Sequence, residues 1–133
     1  MSGQQRLPTS SPGSVDSFKP PPAPGLVVYR SVPAMHHHKI RPCVVIRKTR
    51  WKTWLLPLSS DTWNPSVNPV IGFNGSLSFA VLDRLFSVPT SEIVRFSART
   101  ISARALKTCL LALSNAAGNG SAVIPNDFLL AGY

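Results

Sequence analysis

The densest run of ligand-binding side chains lies between residues 39 and 52, where Lys39, Arg41, Arg47, Lys48, Arg50 and Lys52 occur with no acidic residue among them. Trp51 and Trp54 close the segment, and Trp63 follows in the next polar stretch. Guanidinium and ammonium groups bind phosphate and exposed aromatic faces stack on unpaired bases, so the combination suits single-stranded RNA. A plainer reading is a solvated hairpin whose tryptophans fill the core, because Trp is mostly buried in folded proteins. Just upstream, His36-His37-His38 supplies imidazoles that titrate near neutrality and can move protons beside the basic segment. The same triplet also fits a polar loop with no chemical part. Consecutive side chains rarely converge on one ion, and no Cys or carboxylate spacing accompanies them, so neither a metal nor another cofactor is expected.

Two further positions carry potential chemistry. Asp83 follows the apolar stretch Phe79-Ala80-Val81-Leu82 and precedes Arg84. A carboxylate there must be hydrogen-bonded, ion-paired or exposed at a strand end, given the cost of burying it alone. It reads either as an internal Asp-Arg pair with a structural task or as an active-site carboxylate. Ser59-Ser60 close an apolar run and enter a polar loop, from which hydroxyls can reach a ligand. No nucleophile elbow, phosphate-binding glycine loop or zinc motif occurs.

The elements that must position these groups are mostly strands. Gly25 precedes the β-branched run Leu26-Val27-Val28-Tyr29, and residues 34–41 form a polar connection. Cys43-Val44-Val45-Ile46 is a continuous apolar run suited to a strand buried on both faces. Lys48, Thr49 and Arg50 make the hairpin turn into a strand from Trp51 to Leu58, and Ser59 to Asn68 is a mobile or ligand-facing loop. Val70-Ile71-Gly72-Phe73, the turn Asn74-Gly75 and a returning strand from Leu77 to Phe86 complete the pattern of a small barrel or strongly bent sheet. From Ser97 to about Asn115 the period lengthens, with Ile101, Ala105, Cys109, Leu110 and Leu113 on one face of an amphipathic helix that closes the core. Gly118 stands where its C-terminal stop is expected.

Residues 1–23 are rich in Pro, Ser, Gly and Gln and cannot offset their own ordering entropy, so they are expected to form a disordered leader. The folded domain is expected over 24–117, with a tail of no clear period over 118–133. The 133 residues carry 14 Lys and Arg against 5 Asp and Glu, a net charge of +9 that draws polyanions: nucleic acid first, an anionic membrane surface second. Cys43 and Cys109 form no recognisable framework and read as reduced core residues. No apolar run reaches the roughly 18 residues of a spanning helix, and the leader lacks the apolar centre of a signal peptide; a cytoplasmic location is expected.

Taken in order, these pieces resemble the PemK/MazF toxin family. Pro24-Gly25-Leu26-Val27-Val28-Tyr29 matches its opening Pro-Gly and hydrophobic strand, and Arg41-Pro42-Cys43-Val44-Val45-Ile46 its Arg-Pro before a Val-rich strand. Pro57-Leu58-Ser59-Ser60 matches the Pro-x-Thr/Ser-Ser strand end. Val81-Leu82-Asp83-Arg84 matches the strand bearing an acidic residue, and Ser87-Val88-Pro89-Thr90 leads toward the terminal helix. The resemblance covers about residues 24–115. It implies a mainly β fold, an SH3-like barrel with a C-terminal α-helix, working as a homodimer. It also implies metal-independent cleavage of single-stranded mRNA by attack of the 2′-hydroxyl on the adjacent phosphorus, restrained by a cognate antitoxin protein. By the same resemblance Arg41 would stabilise the phosphate, Ser59 and Ser60 would donate hydrogen bonds to it, and Asp83 and His38 would match the acidic residue and loop histidine of the PemK-like branch. Lys39, Arg47, Lys48, Arg50, Lys52, Trp54 and Arg84 would hold the RNA. That branch carries Arg two residues before its acidic residue, where this chain has Val81. The competing expectation is a non-enzymatic binder on the same barrel, either a CcdB-like gyrase poison or a catalytically degenerate nucleic-acid-binding module.

Overall fold

The computed structural model describes residues 23–33, 35, 39–61, 64–93 and 99–130. The expectations for the leader before residue 23, for His36, His37 and His38, for Trp63 and for the last three residues of the tail lie outside the described residues.

Apolar, β-branched runs become strands β1 (Val27–Ser31), β2 (Ile40–Lys48), β3 (Lys52–Ser59), β4 (Val70–Phe73), β5 (Ser76–Ala80) and β6 (Phe86–Pro89). Helices α1 (Ala103–Asn119) and α2 (Asn126–Leu130) follow. The fold is mainly β: an antiparallel sheet ordered β1-β2-β3-β5-β4, with β6 also paired to β3, followed by the C-terminal helix. β3 is the hub, pairing with β2 from Thr53 to Pro57, with β5 at Leu58 and Ser59, and with β6 from Lys52 to Leu55. Asn74 and Gly75 both take positive φ (55° and 79°), the conformation that a two-residue hairpin turn between β4 and β5 demands.

The expected strand from Leu77 to Phe86 is interrupted. It leaves the ladder after Ala80, forms a 3-10 turn at Leu82–Arg84 and rejoins β3 at Phe86. Its register against β3 shifts by three residues across the break, the length of the turn, so Leu82 drops into the core and Asp83 and Arg84 are thrown to the rim. The Val81 amide still donates to the Pro57 carbonyl at 2.9 Å, which anchors the entry to this excursion.

The continuous apolar run in β2 is explained by burial on both faces. On one face Val44 and Ile46 meet Val27, Trp54, Leu56, Leu58, Leu82, Ile101 just before α1, and the α1 residues Ala105, Cys109 and Leu113. On the other, Cys43 and Val45 meet Val28, Val32, Met35, Leu55, Val81, Val88 and Ile93. Complete burial of a Val or Leu contributes about 1.5–3 kcal/mol, so both faces add substantially to stability.

Helix α1 starts where the Ser102 hydroxyl accepts from the Ala105 amide at 3.0 Å and ends at Gly120 in the left-handed region (φ 72°). It is thus shifted toward the C-terminus relative to the expected span from Ser97 to Asn115, and Gly118 lies inside it. An exposed glycine inside a helix is tolerated at about 1 kcal/mol, so it does not by itself end one. The tail is also more ordered than its missing period implies: α2 folds back and buries Phe128 completely.

Candidate nucleic-acid interface

The basic segment is one run in sequence but two groups in space. Along β2 the rise of ~3.3 Å per residue separates Arg41 from Lys48 by on the order of 20 Å. Lys48, Arg50, Trp51 and Lys52 stand at the hairpin tip, whereas Lys39 and Arg41 stand at the opposite end of the strand.

The tip is held in one shape by its own hydrogen bonds. Thr49 Oγ1 accepts from the Trp51 and Lys52 amides at 3.3 and 2.9 Å, and the Thr49 amide donates to the Lys52 carbonyl at 2.7 Å. Thr90 ties the tip to the following 3-10 turn Thr90–Glu92: its amide donates to the Trp51 carbonyl and its hydroxyl to the Thr49 carbonyl, both at 2.9 Å. The result projects Trp51, 72% exposed, with the Arg50 guanidinium 4.9 Å over its ring. A solvent-facing indole beside cations is an arrangement on which an unpaired base stacks.

Trp54 was the aromatic expected to contact RNA, and its placement corrects that expectation: it is 3% exposed and packed in the core. Its neighbours are committed to the tail as well. Phe128 meets Trp54 edge-on at 5.2 Å, the Arg47 guanidinium lies 3.9 Å over the Phe128 ring, and Arg47 Nη1 donates to the Phe128 carbonyl at 2.5 Å. Lys52 Nζ makes a salt bridge of 2.8 Å to Asp127, whose carboxyl is thereby held below its ordinary range by the lysine hydrogen bond. Arg47 thus fastens α2 to the hairpin, with the exposed Lys52–Asp127 pair beside it, while Lys48, Arg50 and Trp51 face solvent. Strand alternation could not separate Trp51 from Trp54, because β3 is buried on both faces; the turn position of Trp51 was the usable signal.

At the other end, Arg41 is half-buried on β2, directly opposite Arg30 on β1. By strand alternation Arg41 shares the sheet face of Cys43 and Val45, away from α1, and Ser59 shares that face on β3 with Leu55. The ladder between the strands stops at Cys43 and Pro57, two residues short of Arg41 and Ser59. Arg41 Nε is buried and has no hydrogen-bond partner among the described residues. Ser59 is 2% exposed, with its oxygen accepting from the Asp61 amide at 3.2 Å, while Ser60 is exposed. At the far end of the following loop the buried Asn68 side chain accepts from the Leu82 amide at 3.0 Å.

Asp83 and Arg84 occupy the 3-10 turn, not a strand. Arg84 Nη1 lies 3.7 Å from Asp83 Oδ2 and donates to the Asp83 carbonyl at 3.3 Å, while Asp83 Oδ1 is buried without a hydrogen-bond partner. Val81 is fully buried. Both cysteines are free and buried, and their thiols are pushed up to about 12 by desolvation; for Cys43, nearby Arg30 and Arg41 oppose that rise.

An open cleft of about 490 Å³ lies elsewhere, between Thr100 and the β4–β5 turn, and includes none of the expected site residues. Among the described residues no group of three or more His, Cys, Asp or Glu side chains is placed to hold a metal, and no helix is long and apolar enough to cross a membrane. Neither protein-family models nor curated proteins yield a match to this chain.

Proposed function

We propose that this domain binds single-stranded RNA and cleaves it without a metal, through attack of a 2′-hydroxyl on the adjacent phosphorus, in the manner of the PemK/MazF toxins. The single observation behind this reading is Arg41, a half-buried guanidinium whose Nε is desolvated and has no partner among the described residues, on the sheet face shared with Ser59. A buried donor without an acceptor costs about 1–3 kcal/mol, and an anionic oxygen seated there would recover it. The transition state of phosphodiester cleavage develops charge on non-bridging oxygens, which fixed guanidinium and hydroxyl donors stabilise. In this reading the bent sheet around β3 closes as an SH3-like barrel, the exposed Ser60 faces the phosphate with the buried Ser59 behind it, and Lys39, Lys48, Arg50 and Arg84 guide the strand. Two copies form the working unit, and an acidic antitoxin segment covers the basic surface.

The test is incubation of the purified chain with single-stranded RNA in EDTA. Cleavage is expected, and Arg41→Ala is expected to lower it by at least 100-fold with an unchanged circular dichroism spectrum. Cleavage that survives Arg41→Ala at full rate removes this reading.

One observation favours a binder that does not cleave. The position where the PemK-like branch has Arg is Val81, sealed in the core, and Arg84 is turned onto Asp83. Tight RNA binding with intact RNA would select that alternative.

A further inference from the structure

We infer that Arg30 is a second phosphate-binding residue, forming with Arg41 a paired guanidinium clamp that Glu92 occupies in the free protein. This deepens the RNA reading above and rests on it for the identity of the ligand, a phosphodiester.

Arg30 and Arg41 are direct cross-strand partners in the β1–β2 ladder, so both side chains leave the sheet on the same face. Like charges in that relation repel, and each such pair destabilises a sheet unless an anion lies between or beside the two. Among the described residues one carboxylate reaches this pair, and it reaches Arg30: Arg30 Nη2 lies 3.2 Å from Glu92 Oε1, and Arg30 Nη1 lies 3.5 Å from the Glu92 carbonyl. Arg41 has no salt bridge among the described residues, and its Nε stays buried without an acceptor. Two guanidiniums with one exposed counter-charge leave an excess of donors on one face, an arrangement suited to an anion with several oxygens. A phosphodiester has two non-bridging oxygens and fits between two such forks.

Glu92 is suited to yield. Its side chain is 53% exposed and that of Arg30 29%, so their contact is a partly solvated ion pair, of the kind that contributes little and exchanges readily. Glu92 also ends the 3-10 turn whose first residue, Thr90, bonds to the hairpin tip. The turn therefore bonds to the tip through Thr90 and to Arg30 through Glu92. An incoming phosphate takes over Arg30 Nη2 and supplies an acceptor for Arg41 Nε.

The experiment follows the arginine Nε–H signals of the full chain by NMR during titration with inorganic phosphate and, separately, with the dinucleotide UpU. Binding of a fluorescent oligouridine is measured alongside across a salt series for wild type, Arg30→Gln, Arg30→Lys, Arg41→Gln and Glu92→Gln. Signals of both Arg30 and Arg41 are expected to shift with UpU. Arg30→Gln is expected to weaken oligouridine binding at least fivefold and to lower the salt slope by about 1. Arg30→Lys recovers part of the loss, and Glu92→Gln tightens binding about threefold. Shifts at Arg41 alone, or Arg30→Gln binding like wild type while Arg41→Gln is impaired, overturn the clamp and leave the RNA reading standing. Joint shifts with inorganic phosphate but none with UpU, and no oligouridine binding, keep an anion clamp and discard the RNA reading. No shift at Arg30 with either probe overturns the inference outright.

Discussion

Removing the Phe128 ring tests how far the C-terminal segment holds the hairpin in place. The side chain is fully buried, meets Trp54 edge-on and carries the Arg47 guanidinium on its face. Phe→Ala at a buried site costs about 3–5 kcal/mol in lost transfer energy and cavity formation. The edge-on aromatic contact adds about 0.5–1.5 kcal/mol. The sum has a ceiling, because α2 is a single short helix behind Gly120 and can detach locally instead of holding a cavity open. The loss therefore cannot exceed the free energy with which the segment docks, and about 3 kcal/mol is the expected value. At a slope of ~1.5 kcal/mol per M, this lowers the urea midpoint by roughly 2 M. The assay is urea unfolding of Phe128→Ala beside a chain truncated after Gly120, followed by circular dichroism and Trp fluorescence. Both variants should lose a similar amount of stability. A change below about 0.5 kcal/mol in Phe128→Ala contradicts the packing described and makes the docking of α2 incidental.

Other perturbations have outcomes of defined direction. Trp51→Ala, an exposed substitution, should leave stability within about 0.5 kcal/mol yet weaken oligouridine binding by about 1–3 kcal/mol of stacking energy, read by fluorescence anisotropy; unchanged affinity removes the tip from the interface. Gly120→Ala places a Cβ at φ 72° and should lower stability by about 1 kcal/mol or more in the same urea assay. The buried thiols have folded pKa values raised from 9.0 to about 12, so their neutral form contributes stability that is fully present below pH 9 and is lost as pH rises toward 12. The urea midpoint of wild type should therefore fall more between pH 8 and pH 10.5 than that of a Cys43→Ala/Cys109→Ala chain, and equal falls would contradict the burial.

The strands were legible because burial and turn chemistry act locally. Cys43 to Ile46 reads as a doubly buried strand, Asn74-Gly75 as a two-residue turn, and the spacing of Ala105, Cys109 and Leu113 as a helix face, each from neighbours within a few residues. What sequence could not show was set by distant partners. The break before Asp83 follows from Leu82 leaving the ladder for the core, and the order of the tail follows from a pocket that Ile46 and Trp54 provide for Phe128. The layout of the cations is hidden in sequence for the same reason: an extended strand holds the two ends of the run 39–52 apart, and the tail, distant in sequence, engages Arg47 and meets Lys52 through Asp127. Arg30 carried no local signal, being a lone cation in an apolar stretch until the β1–β2 register set it opposite Arg41.

The central claim concerns the bond that breaks, so the fragment ends are its most direct readout. Single-stranded RNA incubated with the full chain in EDTA should yield fragments ending in a 2′,3′-cyclic phosphate and beginning with a free 5′-hydroxyl, and an RNA with 2′-deoxy sugars throughout should stay whole. Fragments bearing 5′-phosphates, or equal cutting of the deoxy strand, would contradict attack by the 2′-hydroxyl.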